Sequence, residues 1–383
     1  MIYLDNAATT PIHFSVSDAM HLYMTDEYGN AGSRHSLGKH AREAVENARA
    51  EVARFLNCEQ PDQIIFTSSG TEANNLAIIG TSRYLKREGY PTILTSSEEH
   101  ESILKPIGYL ESENGFIVKY HNLHPTGIPS VDDFWDAGFA SFMYINNETG
   151  DKTDIYKIGE MCEDCGTIFH TDCVQAASTE VLDVQKIKCD MMSISAHKFG
   201  GPKGVGALYV KDKSLLSPIL FGGAGQEFGL RAGTENVAAI VGFGEACRIR
   251  RILNQHRNIF KKVSVRDFVK DLRDYMQIYE IEHLLSINSD EVSGKIVNVC
   301  FHGIDAETLM YYLDSQGVYV SAGAACSSNE STPSHVLLAK GISSDDARCS
   351  IRVSVSDINS FTDVAEAAKI IAQSVKQISL LSS

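Results

Sequence analysis

A lysine does covalent work only when its amine is held in one place and its charge is disfavoured by burial or by cationic neighbours. Residues 193–206 read S-I-S-A-H-K-F-G-G-P-K-G-V-G, which sets His197 and Lys198 at the end of an apolar strand signal, before a glycine-rich turn. That position suits a lysine that condenses with an aldehyde. Upstream, H-T-D-C-V-Q places Asp172 at the C-terminal edge of another strand signal. A partly buried carboxylate there can keep a heteroaromatic ring nitrogen protonated. Farther upstream, F-T-S-S-G-T-E-A-N-N runs from a strand signal at 64–67 into a helical pattern. Gly70 permits the tight turn, and Thr71 with the first free helix amides can grip a phosphate. Together these meet the needs of pyridoxal 5′-phosphate (PLP) carried as a Schiff base on Lys198.

Such residues need a scaffold that brings strand ends together. Strand and helix signals alternate from about 41 to 241, with strand candidates at 64–67, 92–95, 142–146, 167–171, 191–195 and 205–210. This is the signature of a mainly parallel sheet covered by helices, in which ligands settle outside the C-terminal strand ends. Residues 41–56 read as an amphipathic helix, with Ala44, Ala48, Val52 and Leu56 at helical spacing. Beyond a highly charged helical stretch at 248–274, strand signals at 295–302, 318–321 and 350–356 alternate with helices at 306–315 and 362–378. These describe a second, smaller α/β domain.

Composition narrows the class. The 383 residues are 43% hydrophobic and 22% charged, enough for one large core and a smaller one. No stretch is long and apolar enough to span a bilayer, and no charged-then-apolar leader opens the chain, so a cytoplasmic protein without a membrane partner is expected. Nine cysteines at irregular spacing fit a reducing compartment. A formal charge of −15 argues against direct nucleic-acid binding, which relies on clustered cations.

Eight motifs extend the reading: Y-L-D-N-A-A-T-T-P, S-S-G-T-E-A-N-N, E-E-H, N-N-E-T-G, H-T-D-x-x-Q, S-A-H-K-F-G-G-P-K-G-V-G, L-R-A-G-T-E-N and A-A-C-S-S. In this order, over nearly the whole chain, they resemble the NifS/IscS-like cysteine desulfurases, which are fold-type I PLP enzymes. The resemblance implies a large PLP-binding domain at 14–255 built on a mainly parallel seven-stranded sheet. It also implies a small α/β domain, 1–13 with 256–383, carrying a catalytic cysteine loop. Cys326 lies in S-A-G-A-A-C-S-S-N-E-S-T-P-S, a run with little capacity to pack, so an exposed, mobile loop is expected. The resemblance makes Cys326 the nucleophile that takes sulfur from L-cysteine as a persulfide, and Lys198 the base at the substrate Cα.

The same resemblance assigns His100 to ring stacking and proton shuttling, and Gln175 to the phenolic oxygen of the cofactor. Asn147 would orient substrate or cofactor, Ser195 and His197 would join Gly70 and Thr71 at the phosphate, and Arg352 would clamp the substrate carboxylate. Arg231 and Thr234 would reach the phosphate of a neighbouring subunit, making a homodimer. A sulfur-acceptor protein is implied, serving iron–sulfur assembly, tRNA thiolation or DNA phosphorothioation. A selenocysteine lyase or another PLP lyase or aminotransferase shares most of this machinery, but neither a transaminase nor a cystine lyase needs Cys326 on a mobile loop.

Three positions depart from the family pattern: Cys173 for the usual alanine, Phe228 for a common arginine, and G-N-A-G-S-R-H-S without its proline. Cys162 and Cys165 form a lone C-x-x-C, read as helix residues with one packed inward, and no metal site is expected. Cys349 is expected to pack in the core.

Overall fold

Runs such as I-I-F-T and M-M-S-I-S carry no charge and are mainly apolar, and both become strands buried at every position. In chain order the strands are β1 (Ile2–Tyr3), β2 (Ile64–Thr67), β3 (Thr92–Ser96), β4 (Ile117–His121), β5 (Phe139–Ser141), β6 (Ile168–Asp172), β7 (Met191–Ser195) and β8 (Gly206–Val210). They continue as β9 (Leu285–Ile287), β10 (Ile296–Phe301), β11 (Val318–Tyr319), β12 (Ser321–Ala322) and β13 (Ser350–Ser354). The computed structural model describes residues 1–123, 127–223, 225–256, 263–290, 294–322 and 332–382.

The large sheet has seven strands in the order β2-β8-β7-β6-β5-β3-β4. Every pairing from β7 outward to β4 is parallel, and β8 alone runs against its neighbours β7 and β2. The α/β fold with a mainly parallel seven-stranded sheet is therefore as expected. A second sheet, β12-β13-β10-β9, is antiparallel, and β1 pairs in parallel with β11. Val297, Val299 and Phe301 of β10 and Ile351 and Val353 of β13 pack with the helices Val265–Ile278 and Phe361–Ser382 into one core; two further clusters are built on the large sheet.

Several elements differ from the sequence reading. The strand expected at 142–146 is β5, three residues earlier. Past its end, the Phe142 amide still donates to His170 O at 3.2 Å and the Tyr144 amide to Asp172 O at 3.0 Å, without regular pairing. The edge strand β4 was missed because its exposed I-V-K-Y-H lacks a buried alternating face. The charged stretch at 248–274 holds parts of two helices, Val237–Gln255 and Val265–Ile278. The signal at 318–321 splits into β11 and β12, which serve different sheets. Among the described residues no helix is long and apolar enough to cross a membrane.

His170 sits in the middle of the large sheet, fully buried, with Nδ1 2.9 Å from Ser141 Oγ and Nε2 2.9 Å from Ser193 Oγ. Burial pushes its pKa down to about 3, so the ring is neutral when folded. The unfolded chain takes up this proton near pH 6.5 while the folded chain does not, so stability falls as pH drops through that window, by about 1.4 kcal/mol per unit. The His170→Asn protein should be the less stable one at pH 8, and its deficit should shrink between pH 6.5 and pH 4. Urea titrations across that range check this; a constant deficit would contradict it.

Candidate active site

The C-terminal ends of β2, β6 and β7 open onto one cavity of about 380 Å³, within the range of small-molecule sites. Ten of the thirteen residues given a site role from the sequence line it, Arg231 not among them: Gly70, Thr71, His100, Asn147, Asp172, Gln175, Ser195, His197, Lys198 and Arg352. Thr234 is exposed and does not line it. Cys326 lies outside the described residues.

One end of the cavity is built by backbone. Ser69 caps the helix Gly70–Glu88 by accepting the Glu72 amide at 3.1 Å, leaving earlier amides of the first turn facing the cavity. A side chain at residue 70 would meet Val174 Cγ2 at 2.7 Å, and one at 206 would meet the Ser69 carbonyl carbon at 2.5 Å. Glycine at 206 lets this turn nest against β8, and glycine at 70 lets it pack against Val174 just past β6. Glu72 also holds Arg231, whose Nε donates to Oε1 at 2.8 Å, so that side chain is anchored within its own chain.

Lys198 lies on a short 3-10 turn, Ala196–Lys198, directly after β7. Its Nζ donates to Ala7 O at 2.7 Å and Ala8 O at 2.9 Å, and Gln175 Nε2 also donates to Ala7 O at 2.9 Å. The amine is thus fixed by main-chain acceptors. His197, whose pKa burial and the charges of Lys198 and Lys203 push down to about 4, is neutral and meets Thr9 Oγ1 at 3.2 Å.

Asp172 closes β6, buried, with Oδ1 accepting the Val174 amide at 2.8 Å and Oδ2 accepting Asn74 Nδ2 at 2.7 Å. The same Asn74 amide group donates to Ser102 Oγ at 2.8 Å, and Ser102 Oγ lies 2.7 Å from His100 Nδ1. The Ser102 amide donates to that Nδ1 at 3.0 Å. Nδ1 is therefore an acceptor, and the proton of the neutral ring sits on Nε2. Burial favours this neutral form and the Lys198 charge adds to the effect, while Asp172 opposes it; the net pKa lies below the ordinary histidine value. Behind it Glu99 is fully buried, its carboxyl pushed up to about 8 by burial, with Oε1 accepting from Ser96 Oγ and the Met143 amide at 2.9 Å each.

Across the cavity stands Arg352 of β13. Nη2 donates to Asp5 Oδ1 at 2.8 Å and Nη1 to Asn147 O at 2.9 Å. Four buried polar atoms on cavity-lining residues have no protein partner: Asn74 Oδ1, Asn147 Oδ1, Ser195 Oγ and Arg352 Nε. Buried polar groups are normally satisfied, so this set belongs to a ligand-binding surface.

These observations bring a lysine, a buried carboxylate and a helix N-terminal turn into one pocket. The family model of the class-V aminotransferases matches residues 2–366. The chain belongs to the aminotransferase class-V family. It is 37% identical to the cysteine desulfurase IscS of Methanosarcina thermophila, over 98% of this chain and 92% of that protein. Among solved structures, a NifS-like protein aligns with a TM-score of 0.84 at 30% identity, covering 99% of each chain. The structure of SspA in complex with cysteine aligns with a TM-score of 0.77 at 32% identity, covering 94% of this chain and 100% of that one. The chain thus stands among the cysteine desulfurases of the class-V family, whose members hold PLP through a lysine. The free helix amides, the unpartnered Ser195 hydroxyl and the buried Asp172 fit that cofactor.

The departures are now placed. Cys173 is fully buried and its pKa is driven well up by burial, as suits a small apolar substitute. Cys162 packs into the core from the helix Ile155–Cys165, and Cys165 is half-buried. Cys349, expected in the core, is half-buried at the end of the short helix Ser344–Arg348.

Asn74, Ser102, Asp5 and Glu99 were not singled out from the sequence. Only T-E-A-N-N, Y-L-D-N and E-E-H pointed near them. Asn74→Ala should cost about 1–3 kcal/mol in urea unfolding, because Asp172 and Ser102 lose a buried donor. Asn74→Asp should cost more, since it sets a second carboxylate against Asp172; equal costs for the two would refute the assigned donor role.

Proposed function

We propose that the protein is a PLP-dependent cysteine desulfurase, which converts L-cysteine to L-alanine and leaves a persulfide on Cys326. The observation that carries this is the meeting of Lys198, Asp172 and His100 with Arg352 across one cavity, in a chain whose relatives are named cysteine desulfurases. We assign Lys198 as the PLP-bearing lysine and Asp172 as the partner of its ring nitrogen. When bound, PLP supplies an electron sink for the carbanion formed at the substrate Cα.

The remaining work falls to side chains. Arg352 receives the substrate carboxylate, with its unpartnered Nε and the nitrogen now facing Asp5 forming the two-point clamp. Lys198 would take the Cα proton on its Nζ. His100 holds a proton on Nε2 and stays neutral at pH 7, so it can exchange that proton with the reacting atoms. Cys326 attacks the substrate sulfur as a thiolate. The S–S bond forms as the Cβ–S bond breaks, the electron pair stays with carbon, and a proton completes the alanine methyl group. The sulfane sulfur on Cys326 then passes to an acceptor protein.

Two copies complete the site in this reading. Thr234 is exposed in its own chain, and the groove beside Thr71 and His100 carries the exposed rings of Tyr109 and Phe221. A second copy seated there would receive Thr234 at the phosphate. The chain divides into a PLP-binding domain, 14–255, and a small domain, 1–13 with 256–383, a reading supported by the core of residues 2–4 and 265–375, which is separate from the two clusters of the large sheet. Cytoplasmic residence is part of the proposal.

Incubation with L-cysteine without reductant should yield alanine, with no keto acid required, and an adduct of about 32 Da on the Cys326 peptide. Cys326→Ser should keep bound PLP and lose the adduct; Lys198→Ala should lose the visible absorbance of the bound cofactor. Alanine without any persulfide would favour a selenocysteine-lyase-like enzyme. For Arg352→Lys, loss of a charge-assisted hydrogen bond should raise KM about ten- to a hundredfold, with a smaller change in kcat. An unchanged KM would remove Arg352 from the substrate site.

A further inference from the structure

Outside the cavity, one cluster of soft and hard donors is unused by the proposed reaction. Side chains alternate along a strand, so with Val297, Val299 and Phe301 in the core, Cys300 faces the other way. Its Sγ lies 3.6 Å from His302 Nδ1 and 3.8 Å from Asp346 Oδ1, and those two atoms are 2.7 Å apart. The sulfur belongs to a residue with no exposed surface, while the side chains of His302 and Asp346 are 41% and 39% exposed. The cluster therefore has a buried sulfur under an open mouth. Asp346 is steadied from behind, its Oδ2 accepting from Ser343 Oγ at 2.9 Å. None of the three residues lines the active-site cavity.

Bond lengths of about 2.3 Å to sulfur and about 2.0–2.2 Å to nitrogen and oxygen put the ligand atoms of a tetrahedral zinc about 3.3–3.7 Å apart. Two of the three separations are already close to that range. The third is a hydrogen bond that opens by a small rotation of the half-exposed imidazole. We infer that Cys300, His302 and Asp346 form a binding site for a borderline-soft divalent metal, Zn²⁺ or Co²⁺, through Sγ, Nδ1 and Oδ1. The fourth position stays open to solvent. A thiolate, an imidazole and a carboxylate select this class over magnesium or calcium, which take oxygen ligands. Binding displaces the Cys300 thiol proton to solvent with no change in oxidation state, so affinity falls on acidification.

Sequence spacing concealed the site, because C-F-H is too short a motif and Asp346 comes 44 residues after His302. The competing reading is an ordinary histidine–aspartate ion pair beside a buried thiol, which binds no metal.

The test is a Co²⁺ titration of chelator-treated protein with its cofactor retained, following the visible d–d bands and the thiolate charge-transfer band. One equivalent per chain should bind, and it should survive Cys326→Ser and Cys165→Ser. Cys300→Ser should abolish the thiolate band, and both Cys300→Ser and His302→Gln should weaken binding at least about tenfold. Zn²⁺ should raise the melting temperature of the wild-type protein and not of these two variants. His302 is partly exposed, so its variant keeps the test decisive if Cys300→Ser folds poorly. No stoichiometric binding, or unchanged bands in both variants, would overturn the assignment.

Discussion

The structure depends on one stretch of main chain, residues 2–10, which is hydrogen-bonded at once to β11 and β13 and to the turn that follows β7. On one side Ile2 donates to Gly317 O, Leu4 to Tyr319 O and the Ala7 amide to Ser354 Oγ, each at 2.8 Å. On the other, Ala7 and Ala8 offer carbonyls to Lys198, and the Thr10 amide donates to His197 O at 2.9 Å. Within the same stretch, Asp5 meets Arg352. The residue proposed to carry PLP and the one proposed to clamp substrate are therefore positioned against a single ribbon. Backbone acceptors suit this task, because they lack rotamer freedom and hold a cation without bringing a competing negative charge.

A second constraint shapes the Arg231–Thr234 segment. Arg49 is buried and forms paired hydrogen bonds to Glu227, Nη1 to Oε2 at 2.8 Å and Nη2 to Oε1 at 2.9 Å, while Glu227 Oε2 also accepts the Phe66 amide at 2.7 Å. Removing one partner of such a pair strands a buried charge, so the pair fixes geometry more than it adds stability. Glu227 and Phe228 both take positive φ, 40° and 59°, a conformation that non-glycine residues adopt only when surrounding contacts impose it. The Phe228 ring answers for part of this: it lies 5.1 Å from the Arg49 guanidinium and 4.5 Å from Lys213 Nζ. Where an arginine would repel these two cations, phenylalanine attracts them through its ring face.

Strands buried on both faces were easy to read, because apolar runs beside glycine turns have few alternatives. Thus β2, β7 and β10 lie within a residue or so of their expected places, and Asp172, Lys198 and the Gly70 turn fall at strand ends. The strand β4 escaped because an exposed edge needs no apolar face, and β5 was displaced because the apolar run continues past the point where regular pairing ends. Cys349 was misjudged for the opposite reason: a small sulfur side chain carries no positional signal of its own.

By itself the sequence determined the α/β class and the family, since alternating strand and helix signals and motifs in a fixed order are written along the chain, and it put Asp172, Lys198 and the Gly70 turn at strand ends. Tertiary structure alone decided which distant groups meet. Asn74 reaches Asp172 and Ser102, Asp5 reaches Arg352, and His302 reaches Asp346, across separations of 28 to 347 residues. Pairings of that kind follow from how strands order themselves and how side chains fill a shared interior. No local periodicity encodes them.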